Sequence, residues 1–269
     1  MPRRRKASYP FAVVATIISI IGAAIGLGWF IISMMSNSVA VDQSTGCLKD
    51  SSLSPEHWVV VVDITSPLTT QEKTALEGLI DQITRSAKVT SRLRLYRLGE
   101  SAIRASDRVV DICSPGNPDD ANELEVYVED VRRKWNQEFR ATVLNELSEI
   151  TNTSGLRQSP IIESINYVSL LEFSRPLAYK SRLIIISDFL QNSDLLDMYV
   201  DQPPFDTFRK TVGDSAVSAR LEGVSVQLLY LSSPQPSRQG DVWRSFWAAY
   251  VVSNGGSLVG NVINPVEKF

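Results

Sequence analysis

Val59-Val60-Val61-Val62 restricts the fold of this chain more than any other segment. Four consecutive β-branched residues suit a strand and crowd a helix. Side chains alternate between the two faces of a strand, so an unbroken apolar run must be covered on both. His57–Ile64 therefore reads as a central strand of a sheet sandwiched between helices. Arg182–Asp188 and Gly223–Leu231 repeat the pattern. Thr70–Lys88 places Ala75, Leu76, Leu79, Ile80 and Ile83 at helical spacing, and Asn122–Ile150 does the same with Leu124, Val128, Val131, Trp135, Phe139, Val143 and Leu147. That aromatic stripe reads as core packing. A third helix opens near Ser159, with Pro160 suited to its first turn, and a fourth covers Asp241–Ser253. Leu93–Leu98 reads as a half-exposed strand, Arg108–Cys113 as an edge strand, and Ser257–Val262 as a last short one. Asp201–Phe208, with Pro203 and Pro204, reads as a loop. Strands alternating with helices imply an α/β fold, a doubly wound, mostly parallel sheet with helices on both faces.

The second constraint is Phe11–Met35, 25 residues without a charge. About 20 such residues cross a bilayer as a helix. Trp29 and Phe30 stand near its end, where aromatic side chains favour the interface, and Arg3-Arg4-Arg5-Lys6 precedes it. The expectation is one transmembrane helix over 11–35, a basic cytoplasmic tail over 1–10, and everything after the span on the periplasmic or extracellular side. A cleaved signal peptide is the rival, because Ser38-Val39-Ala40 resembles a small-x-small cleavage site, and a buried core helix is a third reading. Gly22 and Gly26 form a GxxxG that would let two such helices approach closely and self-associate. Ser36–Pro55 is polar and reads as a stalk, so the domain is expected over 56–269.

The net charge is −3, and the four basic residues of the tail leave about −7 on the remainder. An acidic domain lacks the basic footprint that nucleic acid requires. The chain has two cysteines and one histidine, His57, too few for a Cys/His zinc site. Cys47 and Cys113 both lie on the exported side of the expected topology, where disulfides persist. A bridge would close a 66-residue loop and tie the stalk to the domain; two separate thiols are the alternative.

In sheets of this type ligands bind at the carboxyl ends of the strands. Two of the buried strands end there in an aspartate, Asp63 and Asp188. Each could cap the following turn, or the two could share a cation. A hard cation such as Mg²⁺ takes carboxylate, hydroxyl and water oxygens. Asp63 and Thr65 supply a carboxylate and a hydroxyl from one turn, Ser159 a hydroxyl from the loop before a helix, and Asp188 a second carboxylate.

In this arrangement the sequence resembles the von Willebrand factor A-like (vWA) domains over roughly Glu56–Val262. Their metal-ion-dependent adhesion site has Asp-x-Ser/Thr-x-Ser after the first strand, a Thr or Ser before a helix, and an Asp ending the fourth strand. Asp63-Ile64-Thr65-Ser66-Pro67, Ser159-Pro160-Ile161 and Ile184–Asp188 are similar to these parts in order and context. The chain departs from the pattern where Pro67 occupies the position of the second hydroxyl, with Ser66 one residue early, and Ser159 stands where Thr is usual. The resemblance implies Mg²⁺ (Mn²⁺ and Ca²⁺ being the other candidates) held by Asp63, Thr65, Ser159 and Asp188, with an open position for an acidic side chain of a protein partner. That is binding, and no enzyme is expected. The Asp-x-Asp of aspartate-nucleophile phosphatases is interrupted by Thr65, no phosphate-binding glycine loop occurs, and His57 starts its strand, at the wrong end of the sheet. A metal-independent structural subunit of an envelope assembly is the alternative, and a Mg²⁺-dependent hydrolase is a more distant one. Glu163 reads as a solvent-facing or capping residue close to the site, with Asn192 and Ser193 at its rim.

Overall fold

The computed structural model describes residues 16, 19–29, 40–42, 44–121, 127–152, 156–175, 179–233 and 235–260. The chain divides into two compact units, Met1–Ala40 and Val41–Phe269. In the first, residues 19–29 are helical, and Gly22 and Gly26 have open space around them. The expected tail over 1–10 and most of the expected span over 11–35 lie outside the described residues. Among the described residues, no helix is long and apolar enough to cross a membrane.

The second unit is built on a six-stranded sheet in the order β3-β2-β1-β4-β5-β6. Its strands are β1 (His57–Asp63), β2 (Arg92–Leu98), β3 (Arg108–Cys113), β4 (Ser181–Ser187), β5 (Val224–Tyr230) and β6 (Ser257–Leu258). Of these strand pairs only β2–β3 is antiparallel, and β3 lies at the edge of the sheet as expected. The valines of β1 divide as a strand requires. Val59 and Val61 enter one core, with Leu183 and Ile185 of β4; Val60 and Val62 enter the other, with Ile184 and Ile186. The helices are α1 (Thr70–Ser86), α2 (Val128–Arg133), α3 (Ala141–Thr151), α4 (Ile161–Phe173), α5 (Phe205–Val212) and α6 (Asp241–Ser253). α1 and α3 cover the Val60 face, and α4, α5 and α6 cover the Val59 face.

Local chemistry sets several boundaries. α1 begins at a capping box in which Thr69 and Glu72 satisfy each other's backbone N–H groups. α2 and α3 are joined by a π-helical stretch, Lys134–Arg140. The buried residues Trp135, Phe139, Val143 and Leu147 recur every fourth position. A 3.6-residue turn drifts by about 40° over such a step, and the wider π turn takes up part of that drift. The start of this helical region, including Leu124, lies outside the described residues.

One expectation is corrected. The expected loop over Asp201–Phe208 gives way to α5 at Phe205. Pro204 stands just before the first turn, where a missing N–H does no harm. Phe205 and Phe208, three residues apart, bury their rings against Phe246 of α6.

The segment read as a stalk joins the compact unit from Val41 onward. Cys47 and Cys113 form a disulfide. Beside it the Cys113 N–H donates to the Thr45 carbonyl at 2.9 Å. Gly46, with φ +70°, passes so near that a Cβ would lie 3.3 Å from the Cys113 carbonyl oxygen.

Candidate functional site

Asp63, Thr65, Ser159 and Asp188 meet at the carboxyl ends of β1 and β4. Asp63 is 3 % exposed and fully engaged. Its Oδ1 accepts from the Thr65 N–H at 2.9 Å and the Thr65 hydroxyl at 2.6 Å, a side-chain-closed turn of the kind Asp favours. Its Oδ2 accepts from Ser159 Oγ at 3.0 Å and Ser187 Oγ at 2.6 Å. Asp188 is equally buried. Its Oδ1 accepts from the Leu190 N–H at 2.9 Å and its Oδ2 from Ser66 Oγ at 3.1 Å.

Ser159 is held in place by a two-way backbone bridge with Asn192, Ser159 N–H to Asn192 O at 2.8 Å and Asn192 N–H to Ser159 O at 2.9 Å. This bridge joins the loop before α4 to the loop after β4. Gln191 strengthens it. Its Oε1 accepts the Ile162 N–H at the start of α4, and its Nε2 donates to Glu163 and to Ser193. Glu163 also accepts from the Ser193 hydroxyl. Glu163 therefore fastens the rim and makes no hydrogen bond to the carboxylate pair.

The turn after Asp188 is unusual in its backbone. Phe189 has φ +55°, the left-handed region that non-glycine residues seldom occupy. Its N–H donates to Ser187 Oγ at 2.8 Å. Its carbonyl accepts from two indoles of α6, Trp243 at 2.8 Å and Trp247 at 2.9 Å. Its buried ring packs on Tyr230, Trp243 and Trp247. Such conformations cost on the order of 1–3 kcal/mol and persist where surrounding contacts over-determine them. Here those contacts fix the residue that follows Asp188.

The electrostatics follow from burial without a counter-charge. Among the described residues, neither Asp63 nor Asp188 forms an ion pair with Lys, Arg or His. Burial, and then the negative charge of Asp63, push the Asp188 carboxyl up to about 7, against the pull of the Leu190 N–H and the Ser66 hydroxyl. Tyr199 lies within reach of the same field. Burial and then the charges of Asp188 and Asp63 push its phenol up to about 12.

Two buried carboxylates ringed by hydroxyls fit a hard dication, which would neutralise their repulsion. No described cluster holds three or more His, Cys, Asp or Glu in metal-binding range, so the remaining ligands would be hydroxyls and water. Pro67 is exposed and offers no side-chain ligand, whereas Ser66 places its hydroxyl on Asp188. Sequence reasoning missed Ser187, Gln191 and Tyr199. Ser187 had a signal, since it is the one hydroxyl in the otherwise apolar run before Asp188; Gln191 had none.

No protein-family model matches the chain, and no curated protein matches it. Among solved structures, it is similar to a von Willebrand factor type A protein from Catenulispora acidiphila, with 10 % identity, a TM-score of 0.44, and coverage of 80 % of this chain and 41 % of that one. The conserved hypothetical protein BatB from Bacteroides thetaiotaomicron is 12 % identical with a TM-score of 0.35, over 66 % of this chain and 68 % of that one. Proximal thread matrix protein 1 from the mussel byssus gives 12 % and 0.35, over 68 % and 37 %. The chain thus spans less than half the length of the first of these.

Proposed function

We propose that this chain is a membrane-anchored, vWA-like interaction module, exported beyond its N-terminal span. In this reading Asp63, Thr65, Ser159 and Asp188 hold Mg²⁺ and leave one coordination position for an acidic side chain of a protein partner. The observation that carries the reading is the pair of buried carboxylates at adjacent strand ends with, among the described residues, no cationic side chain paired to them. When bound, the cation would supply the missing positive charge and a Lewis-acidic position for a carboxylate. The chain's own part is to fix the oxygens, through the Asp63–Thr65 turn, the Ser159–Asn192 bridge and the clamped Phe189 carbonyl. The proposal is for binding without turnover, because the one histidine lies at the far end of β1.

Calorimetric titration of the full chain in detergent tests this. Mg²⁺ is expected to bind in the micromolar to millimolar range, at least tenfold more weakly in Asp188→Asn, because one of two hard anionic ligands is lost. Equal affinity in the variant, or no binding by the native chain, would sink the metal reading. The alternative, a metal-independent structural subunit, has its own support: every oxygen of the two carboxylates already accepts a hydrogen bond.

A further inference from the structure

Tyr199 reaches the edge of the carboxylate pair from the loop after β4. That loop folds back on itself, with the Met198 N–H on the Gln191 carbonyl at 2.8 Å and the Asp201 N–H on the Asp197 carbonyl at 2.9 Å. The Met198 side chain is fully buried and anchors it. The Tyr199 N–H donates to Asp197 Oδ1 at 2.9 Å, and its half-buried ring packs against the core on the Val59 face. Its phenol meets the hydroxyls of Ser233, just past β5, and of Ser66, just past β1. One side chain thus bridges the loops that follow three neighbouring strands.

The hydroxyl protons run one way along this bridge. Ser66 gives its proton to Asp188 Oδ2 at 3.1 Å, so towards Tyr199 its oxygen is left to accept. Ser233 Oγ accepts from the Gln235 N–H at 3.0 Å, and the Ser233 N–H is fixed on Gln239 Oε1 at 3.1 Å. That leaves the Ser233 proton for the phenol oxygen. By elimination the phenol proton points towards Ser66, the side on which Asp188 lies. Burial and the charges of Asp188 and Asp63 keep it on the phenol at neutral pH.

A hydroxyl donor at the edge of a cation site has a specific use. A carboxylate that meets a metal through one oxygen leaves the other to find a hydrogen bond, and bonds to a charged acceptor are stronger than bonds to a neutral one. Thr65, Ser159 and Ser187 already donate to Asp63, and Ser66 to Asp188. The phenol gives its proton to a neutral hydroxyl, the weaker bond and the one exchanged at least cost for a charged acceptor.

We propose that Tyr199 is the partner-recognising residue of this site, its hydroxyl donating to the carboxylate oxygen that the cation does not hold. The inference rests on the metal reading above and adds what selects the partner, a carboxylate that offers one oxygen to the cation and one to the phenol.

The test uses the full chain in detergent, loaded with Mn²⁺, with acetate as the probe. Acetate displaces a metal-bound water, so its binding is read as a fall in water-proton relaxation. Calorimetry gives the Mn²⁺ affinity of the same samples. Tyr199→Phe keeps the ring and removes only the hydroxyl. It is expected to bind Mn²⁺ within about twofold of the native chain and acetate about tenfold more weakly. Retained Mn²⁺ affinity shows that the variant is folded at the site. Equal acetate affinity in the two chains overturns the role of Tyr199 and leaves the metal reading standing. So does a metal-loaded native chain that takes up no acetate. A loss of Mn²⁺ affinity as large as the loss for acetate makes the phenol a support of the metal itself and overturns the role as well. If the native chain binds no Mn²⁺, both readings fall together, and the calorimetry alone reveals it.

Discussion

Glu172→Ala is expected to lower the free energy of unfolding by about 3–5 kcal/mol, because it strips one side from a buried ion network. Glu172 has no exposed side-chain surface, and Arg94 has 11 %. The carboxylate accepts from His57 Nε2 at 2.8 Å and from Arg94 and the Tyr96 hydroxyl. Arg94 also reaches Asp111, which Arg92 grips with two bonds at 2.7 and 2.9 Å. Removing Glu172 leaves a buried guanidinium half-paired and strands a phenol and an imidazole. Urea unfolding followed by circular dichroism measures the loss, and a change below about 1 kcal/mol would mean water compensates the cluster.

The same cluster sets an acid limit. Burial alone would raise the Glu172 carboxyl, but the His57 hydrogen bond, the Arg94 charge and the Tyr96 hydroxyl outweigh it and bring it down from an ordinary 4.5 to about 2. A depressed carboxyl stabilises the folded chain above its unfolded value, and that contribution is lost as pH falls from about 4.5 towards about 2. Burial, which raises a carboxyl, lowers the His57 imidazole, against the pull of Glu172. Its Nδ1 has no hydrogen-bond partner among the described residues, as suits a neutral ring whose only proton points at Glu172. Its contribution fades on acidification too. Glu172→Ala should therefore show a flatter stability profile across the acid range.

Cys47→Ser/Cys113→Ser is expected to cost about 4 kcal/mol, the chain-entropy value for a loop of this length. The sulfur link spans a sequence separation of 66 residues. The local contacts around it, Thr45 to Cys113 and the tight passage of Gly46, are too few to replace it. Thermal unfolding of the native chain with and without reductant gives the same comparison without mutation. A shift that appears in the variant but not on reduction would mean that the serines, and not the lost bond, do the damage.

The strand ends were legible because β1 and β4 leave almost no choice. Four valines demand two covered faces, and an aspartate closing such a run must find partners at a sheet end. Thr65 was readable for the same local reason, lying two residues along a turn that Asp63 closes. The partners of the other oxygens were not. Ser66 turns towards Asp188, 122 positions later, and Gln191 reaches back to the start of α4. His57 pairs with Glu172 across 115 positions. Such pairings depend on how layers settle against each other, which no local period records. α5 was hidden by Pro203 and Pro204, because proline before a helix looks the same in sequence as proline in a loop.

The two indole N–H groups that converge on the Phe189 carbonyl give the chain a built-in optical probe. Trp243 and Trp247 are bonded to the residue that directly follows Asp188, so a small displacement of that carboxylate changes the polarity at two fluorophores. Occupancy of the site should register as a shift in intrinsic emission without any attached dye. The shift should disappear in Asp188→Asn, while Trp58 on β1, Trp135 in the π-helical stretch and Trp29 in the first unit supply the background.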